Sequence, residues 1–227
     1  MYGYTFPNTR LIADQFAANG YLTLIPDIFN GAQLPFPPPA DFNLQTYIDT
    51  TMPRPATVDP IVEKVVKYLR DEVGVERIGG VGYCFGGKYV VRWLKGNESG
   101  LDAGYVAHPS FVDKEEVEVV KGPLSIAAAR KSILNILTRF MEGDCECGIA
   151  NAALRTTETD NIFTIAQRHE TEETLGKMSV PWQVNVYSDT EHGFAVKGHL
   201  GTKKARFAKE RAFEQAVGWF GEYLKNS

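Results

Sequence analysis

The stretch Gly82-Tyr83-Cys84-Phe85-Gly86 constrains this chain more than any other. Before it, residues 77–81 form a short apolar run suited to a buried strand. After it, residues 87–94 have the periodicity of a helix. A strand, a glycine-flanked turn and a helix describe a nucleophile elbow, here with cysteine in the place more often held by serine. The glycines leave room where a neighbouring Cβ would meet adjacent chain. The turn sets the sulfur above the strand ends, at a helix N-terminus whose amides favour a thiolate or an oxyanion. The plainer reading is a buried cysteine in a glycine-rich turn.

The rest of the chain fits that element into one α/β domain of 227 residues. Residues 10–18 have helical spacing closed by Asn19-Gly20. Residues 21–25 predict a strand, and 27–40 a Pro- and aromatic-rich loop at a pocket rim. Residues 58–73 predict a helix, with Asp59 before Pro60 as its start signal. Strands are expected at 103–107, 123–129 and 182–187, and helices at 161–175 and 202–224. Strands alternating with helices imply a mostly parallel sheet covered on both faces, with reactive groups on the loops after strand C-termini.

Composition removes several function classes. The net charge is −4 and no basic run stands out, which argues against nucleic acid as a partner. No apolar stretch is long enough to span a bilayer, so no membrane partner is expected. The N-terminal residues lack the basic and apolar regions of a secretion signal. Cys84, Cys145 and Cys147 make neither a disulfide framework nor a metal-binding spacing, so a reducing, cytoplasmic setting is expected, with no metal.

A cysteine nucleophile needs a base and a group to orient it. His192 lies in Glu191-His192-Gly193-Phe194, just after the last expected strand, where a base following its nucleophile in chain order belongs. His108 also follows a strand and is a candidate to line the pocket, although a capping or core role suits it equally. His169, within a predicted helix, and His199, in a loop, read as surface residues. The orienting acid should fall between nucleophile and base; Asp144, Glu158, Asp160, Asp189 and Glu191 all qualify, and the plainer role for Asp160 is a helix N-cap. Ser110 and Ser125 lack a glycine-flanked turn, which counts against a serine nucleophile.

Together these residues resemble the fungal branch of the dienelactone hydrolase family. The resemblance runs over nearly the whole chain: residues 3–14, Gly20-Tyr21-Leu22 leading into Pro26-Asp27, residues 82–88, Ala107-His108-Pro109-Ser110-Phe111, and His192-Gly193-Phe194-Ala195. It implies an α/β-hydrolase fold, a Cys-His-Asp triad and cofactor-free hydrolysis of a small-molecule lactone or ester. Carried over by motif, it makes Cys84 the nucleophile and His192 the base. The segment Glu158-Thr159-Asp160-Asn161-Ile162-Phe163 then selects Asp160 as the acid. The amide of Phe85, the residue after the nucleophile, becomes an oxyanion donor. Lys197 and Arg54 become candidates to attract a substrate carboxylate.

Two departures accompany the resemblance. Residues 130–157 have no counterpart in the family pattern and read as an insertion or as translated intron sequence. The family also carries strands ahead of the segment matching Tyr2-Gly3-Tyr4, together with an acidic partner of the cysteine and a second oxyanion donor near the place of Met1. A chain without them is expected to lack N-terminal strands, and the rival expectation is a catalytically impaired remnant that binds a small molecule or a partner protein.

Overall fold

The computed structural model describes residues 2–96, 99–130, 163–197 and 201–225. Its centre is a parallel four-stranded sheet in the order β1-β2-β3-β4, formed by Gly79–Tyr83, Ala103–Ala107, Leu124–Arg130 and Trp182–Ser188. The register sets Tyr83 beside Ala107, Ala107 beside Ala127 and Ala127 beside Asn185. The C-terminal ends of the four strands therefore lie at one edge of the sheet.

Seven helices accompany the sheet among the described residues: α1 (Pro7–Ala18), α2 (Leu44–Thr50), α3 (Pro55–Lys67), α4 (Phe85–Trp93), α5 (Lys114–Val117), α6 (Ile165–Gly176) and α7 (Lys203–Phe220). Short π-helical turns extend α3 over Tyr68–Glu72 and α7 over Gly221–Lys225. The two sheet faces are covered separately. On one face Val106, Leu124, Ile126 and Ala128 pack with Val90, Val91, Leu94 and Leu175. On the other, Ala103, Tyr105, Ala107 and Ala127 pack with Ile12 and Phe16 of α1 and with an alanine stripe on α7, Ala208, Ala212 and Ala216. The stripe recurs every fourth residue, so one helix face lies close to the sheet; the Tyr105 hydroxyl donates to the Ala212 carbonyl at 2.7 Å across that contact. Strand β2 is buried along its whole length, as a parallel strand covered on both faces should be.

Three expectations change. Residues 21–25 form no strand and pair with none among the described residues, and Leu22 and Leu24 are 73% and 41% exposed. Composition marked them as a strand; a strand also needs a neighbour's amides and carbonyls. Helix α3 opens at Pro55, with Arg54 at the N-cap position, so Pro60 lies inside it. Asp59 is consequently no cap: its carboxylate accepts hydrogen bonds from Arg92 and from Trp93 Nε1. Helix α6 starts at Ile165, where Thr164 and Gln167 form a capping box. The expected rim loop, 27–40, contains neither helix nor strand, and the short helix α2, capped by Asn43, follows it.

Residues 131–157 of the expected insertion, with Cys145 and Cys147, lie outside the described residues, as do Met1, Asp160 and His199.

Candidate active site

Cys84 follows β1 directly and forms the N-cap of α4 at φ 52°, ψ −118°. A left-handed cysteine is a strained conformation that the surroundings must impose. Its amide donates to the Ala107 carbonyl at 3.1 Å, and its carbonyl accepts from the amides of Gly87 at 3.0 Å and Ser110 at 3.1 Å. The motif glycines divide the steric work unevenly. A Cβ on Gly82 would stand 2.7 Å from the Gly86 carbonyl oxygen and from the backbone of Gly87, whereas one on Gly86 would meet nothing within 4 Å. Absence of a side chain at 82 lets the helix start pass over the strand end. Residue 86 faces open space, contrary to the expectation that both flanking glycines avoid a clash.

His192 lies on the loop between β4 and α7 and comes within hydrogen-bonding reach of the Cys84 thiol. Burial raises the thiol's pKa; the hydrogen bond and charge of His192, with the Ser110 hydroxyl, lower it further than burial raises it, to about 7. A thiolate is thus well populated near neutrality, as a nucleophile or an ion-paired cysteine requires. Ser110 Oγ lies 3.3 Å from Cys84 Sγ and 3.5 Å from His192 Nε2. Sequence reasoning weighed this serine only as a rival nucleophile. The available signal was its place three residues past the end of β2, the strand next to the elbow.

His108 has no exposed surface, and its ring stands edge-on to His192 with centroids 4.9 Å apart. Burial, reinforced by His192, pushes its pKa well below the ordinary value, so the ring is neutral at pH 7. It backs the His192 ring, and neither of its nitrogens has a hydrogen-bond partner among the described residues. Phe85 occupies the first position of α4, buried against Phe29 and Tyr89, with its amide at the helix N-terminus beside the sulfur. Lys197 pairs with Glu191 at 2.8 Å on the His192 loop. Arg54 is exposed and donates to the Ile48 carbonyl at 2.6 Å. Asp189 pairs with Lys204 at 2.9 Å, and exposed His169 lies on α6. The structure therefore brings Cys84, His192, Phe85 and His108 together, with Lys197 on the same loop as His192.

No cluster of three or more His, Cys, Asp or Glu suited to a metal occurs among the described residues, and no helix there is long and apolar enough to cross a membrane.

The family model of the dienelactone hydrolase family matches residues 1–133 and 150–224, leaving 134–149 between its two stretches. Among curated proteins, hydrolase pyvD of Aspergillus violaceofuscus is 41% identical over 225 residues, covering 99% of this chain and 79% of that protein. Hydrolase tropI of Talaromyces stipitatus is 41% identical over 229 residues, covering 98% and 78%. The carboxymethylenebutenolidase homolog of Mus musculus is 33% identical over 226 residues, covering 99% and 80%. In fold, the chain is similar to the crystal structure of a dienelactone hydrolase from Anabaena variabilis, with a TM-score of 0.61, 12% identity, and coverage of 98% of this chain and 82% of that one. With the parallel sheet and the strand–turn–helix elbow, these matches show that the chain has an α/β-hydrolase fold and belongs to the dienelactone hydrolase family of hydrolases.

Proposed function

We propose that this enzyme hydrolyses small lactones or carboxylic esters through Cys84. The observation that carries this reading is a part-buried thiol within hydrogen-bonding reach of His192, its pKa drawn down to about 7. The thiolate attacks the substrate carbonyl and a C–S bond forms. The Phe85 amide donates to the developing oxyanion. As the tetrahedral centre collapses, the C–O bond to the leaving alcohol breaks and protonated His192 gives that oxygen its proton. In a lactone the alcohol stays tethered to the acyl group. Neutral His192 then takes a proton from water, the hydroxide attacks the thioester, and sulfur departs as thiolate. Asp160 is the proposed partner that holds the imidazole tautomer.

Arg54 and Lys197 are proposed to draw in a substrate carboxylate, and His108 to support the imidazole from behind. The names of the relatives support the substrate class: a carboxymethylenebutenolidase homolog and, at 26% identity, dienlactone hydrolase 1 of Gibberella moniliformis. A nucleophile that must remain a free thiol fits a reducing compartment, the cytoplasm.

The test is turnover of a panel of small lactones and aryl esters by Cys84→Ala. Loss on the order of 10⁴-fold is expected from removing the nucleophile of a catalytic unit. Turnover equal to that of the unaltered enzyme would falsify the reading.

A further inference from the structure

The geometry points to Ser110 as a second anchor of the nucleophile: its hydroxyl donates to the Cys84 sulfur and favours the thiolate–imidazolium pair. This rests on the proposed role of Cys84 and adds a residue to it. Ser110 is 1% exposed, and its Oγ is 3.3 Å from Sγ and 3.5 Å from His192 Nε2. A serine that merely shapes a turn turns its hydroxyl to water or to nearby backbone. This one is directed at the two groups that exchange a proton in the proposed reaction.

The turn that carries it is built to hold that direction. His108 at φ 39° and Phe111 at φ 59° flank Ser110, both non-glycine residues in the left-handed region. Such outliers persist only where the surroundings over-determine them, and here the restraints are identifiable. The His108 amide donates to the Ala127 carbonyl at 2.8 Å, and the Ser110 amide to the Cys84 carbonyl at 3.1 Å. The Lys88 ammonium, one turn into α4, donates to the Phe111 carbonyl at 2.6 Å. Pro109 presses on the start of α4 so closely that a Cβ on Gly87 would lie 3.0 Å from it.

Donor and acceptor inventory then sets what the hydroxyl does. When His192 carries a proton on Nε2, that nitrogen is a donor and cannot accept from Ser110. The sulfur is then the acceptor in reach, and two donors converge on it. When the thiol is neutral, Nε2 accepts and the hydroxyl gains little by facing sulfur. The contact is therefore stronger in the ionised state, because hydrogen bonds to a charged acceptor exceed neutral ones.

The experiment measures the rate of Cys84 alkylation by iodoacetamide against pH in the full chain, read by mass spectrometry, for the unaltered protein, Ser110→Ala, Ser110→Gly and Ser110→Thr. The other titratable groups acting on Cys84 and His192 include His108 behind the imidazole, Tyr83 at the end of β1, the Lys197–Glu191 pair and the N-terminal amine; the variants alter none of them. Loss of the hydroxyl should raise the midpoint by about one pH unit, making alkylation at pH 6 about tenfold slower. Ser110→Gly should match Ser110→Ala, and Ser110→Thr, which keeps the hydroxyl, should return to within about twofold. Profiles of Ser110→Ala and Ser110→Gly superimposing on the unaltered one overturn the proposal, as does a shift that a folded Ser110→Thr fails to reverse. Ester turnover separates the two readings. A shifted profile with full activity in Cys84→Ala refutes the hydrolytic role and leaves the Ser110 contact standing. An unshifted profile with inactive Cys84→Ala removes Ser110 alone.

Discussion

The two walls of the site are built differently. The wall that carries Cys84 joins the elbow to the turn after β2, and its central ion pair, Lys88 with Glu116, is buried. The Lys88 ammonium reaches Asp113 and Glu116, both at 2.8 Å, and Glu116 also accepts from Arg92 at 2.7 Å. Arg92 in turn holds Asp59 on α3, so three helices and one turn share a single charge network. The imidazole's wall is a loop between an edge strand and α7. Its ion pairs, Lys197–Glu191 and Lys204–Asp189, lie toward solvent. Its inner ties are hydrogen bonds: Thr190 Oγ1 donates to the Tyr187 carbonyl at 2.7 Å, and Asn8 Nδ2 to the Val196 carbonyl at 2.8 Å. Paired buried charges are costly to separate and surface pairs are not, so the sulfur is the fixed member of the pair and the imidazole is the one that adjusts.

Breaking the buried network should give the largest effect. Glu116→Ala leaves Lys88, itself only 7% exposed, with a largely solvated Asp113 as its remaining carboxylate. Stability to urea should fall by about 3 kcal/mol, the low end for an orphaned buried charge. The double variant Lys88→Met/Glu116→Leu, which removes both charges, should lose less than the single one. A single-variant loss under 1 kcal/mol would mean that the two walls do not differ in the way described.

The next effect falls on the contact between the walls. In His192→Ala the burial that raises the Cys84 pKa is no longer opposed by the imidazole. The folded thiol then titrates higher than about 7, with burial opposed by the weaker Ser110 hydrogen bond and not by the imidazole. Because the thiolate is the reactive form, alkylation at pH 6 should slow by at least about tenfold, at tenfold per pH unit. Folding linkage has a definite sign here. A thiol lowered to about 7 in the fold contributes stability fully above pH 9, and that contribution disappears as pH falls through 7. The added slope between those limits should be absent in Cys84→Ala.

Much of this was legible in the sequence because local signals carried it. Strands β1 to β4 are apolar runs between turn residues, and Cys84 and His192 follow from an elbow and from chain order. What escaped depended on partners distant in sequence. Residues 21–25 have a strand's composition but no neighbour among the described residues. Asp59 looked like a cap because Pro60 follows it, yet its partners Arg92 and Trp93 lie 33 and 34 positions away. Ser110 was weighed only as a nucleophile and set aside because it lacks a glycine-flanked turn; only the packing of its turn on the elbow directs it toward sulfur. Asp160, selected by resemblance, lies outside the described residues.

Within the elbow, two glycines that look equivalent in the motif should separate. Gly82→Ala places a methyl 2.7 Å from three backbone atoms that cannot rotate away. It should cost about 1–3 kcal/mol, as overpacking does, and displace the sulfur enough to slow alkylation of Cys84. Gly86→Ala puts its methyl into open space in the first turn of α4. It should leave stability unchanged or raise it by up to about 1 kcal/mol through the unfolded state. Equal effects of the two substitutions in thermal melts would remove the steric account of the elbow.

The smallest effects belong to the outer pairs of the imidazole wall. Lys204 and Asp189 have side chains 76% and 26% exposed, so Lys204→Ala should change stability by less than about 1 kcal/mol, and by less still in high salt. Lys197→Ala should be similarly mild in a melt, but its kinetics carry more information. If Lys197 draws in a substrate carboxylate, KM for a carboxylate-bearing ester should rise severalfold at low ionic strength, with kcat and the KM of an uncharged ester unchanged. A fall in kcat on both esters would instead mean that the Lys197–Glu191 pair holds the imidazole in place. The loop would then be as constrained as the elbow, and the contrast between a fixed sulfur and an adjustable imidazole would fail.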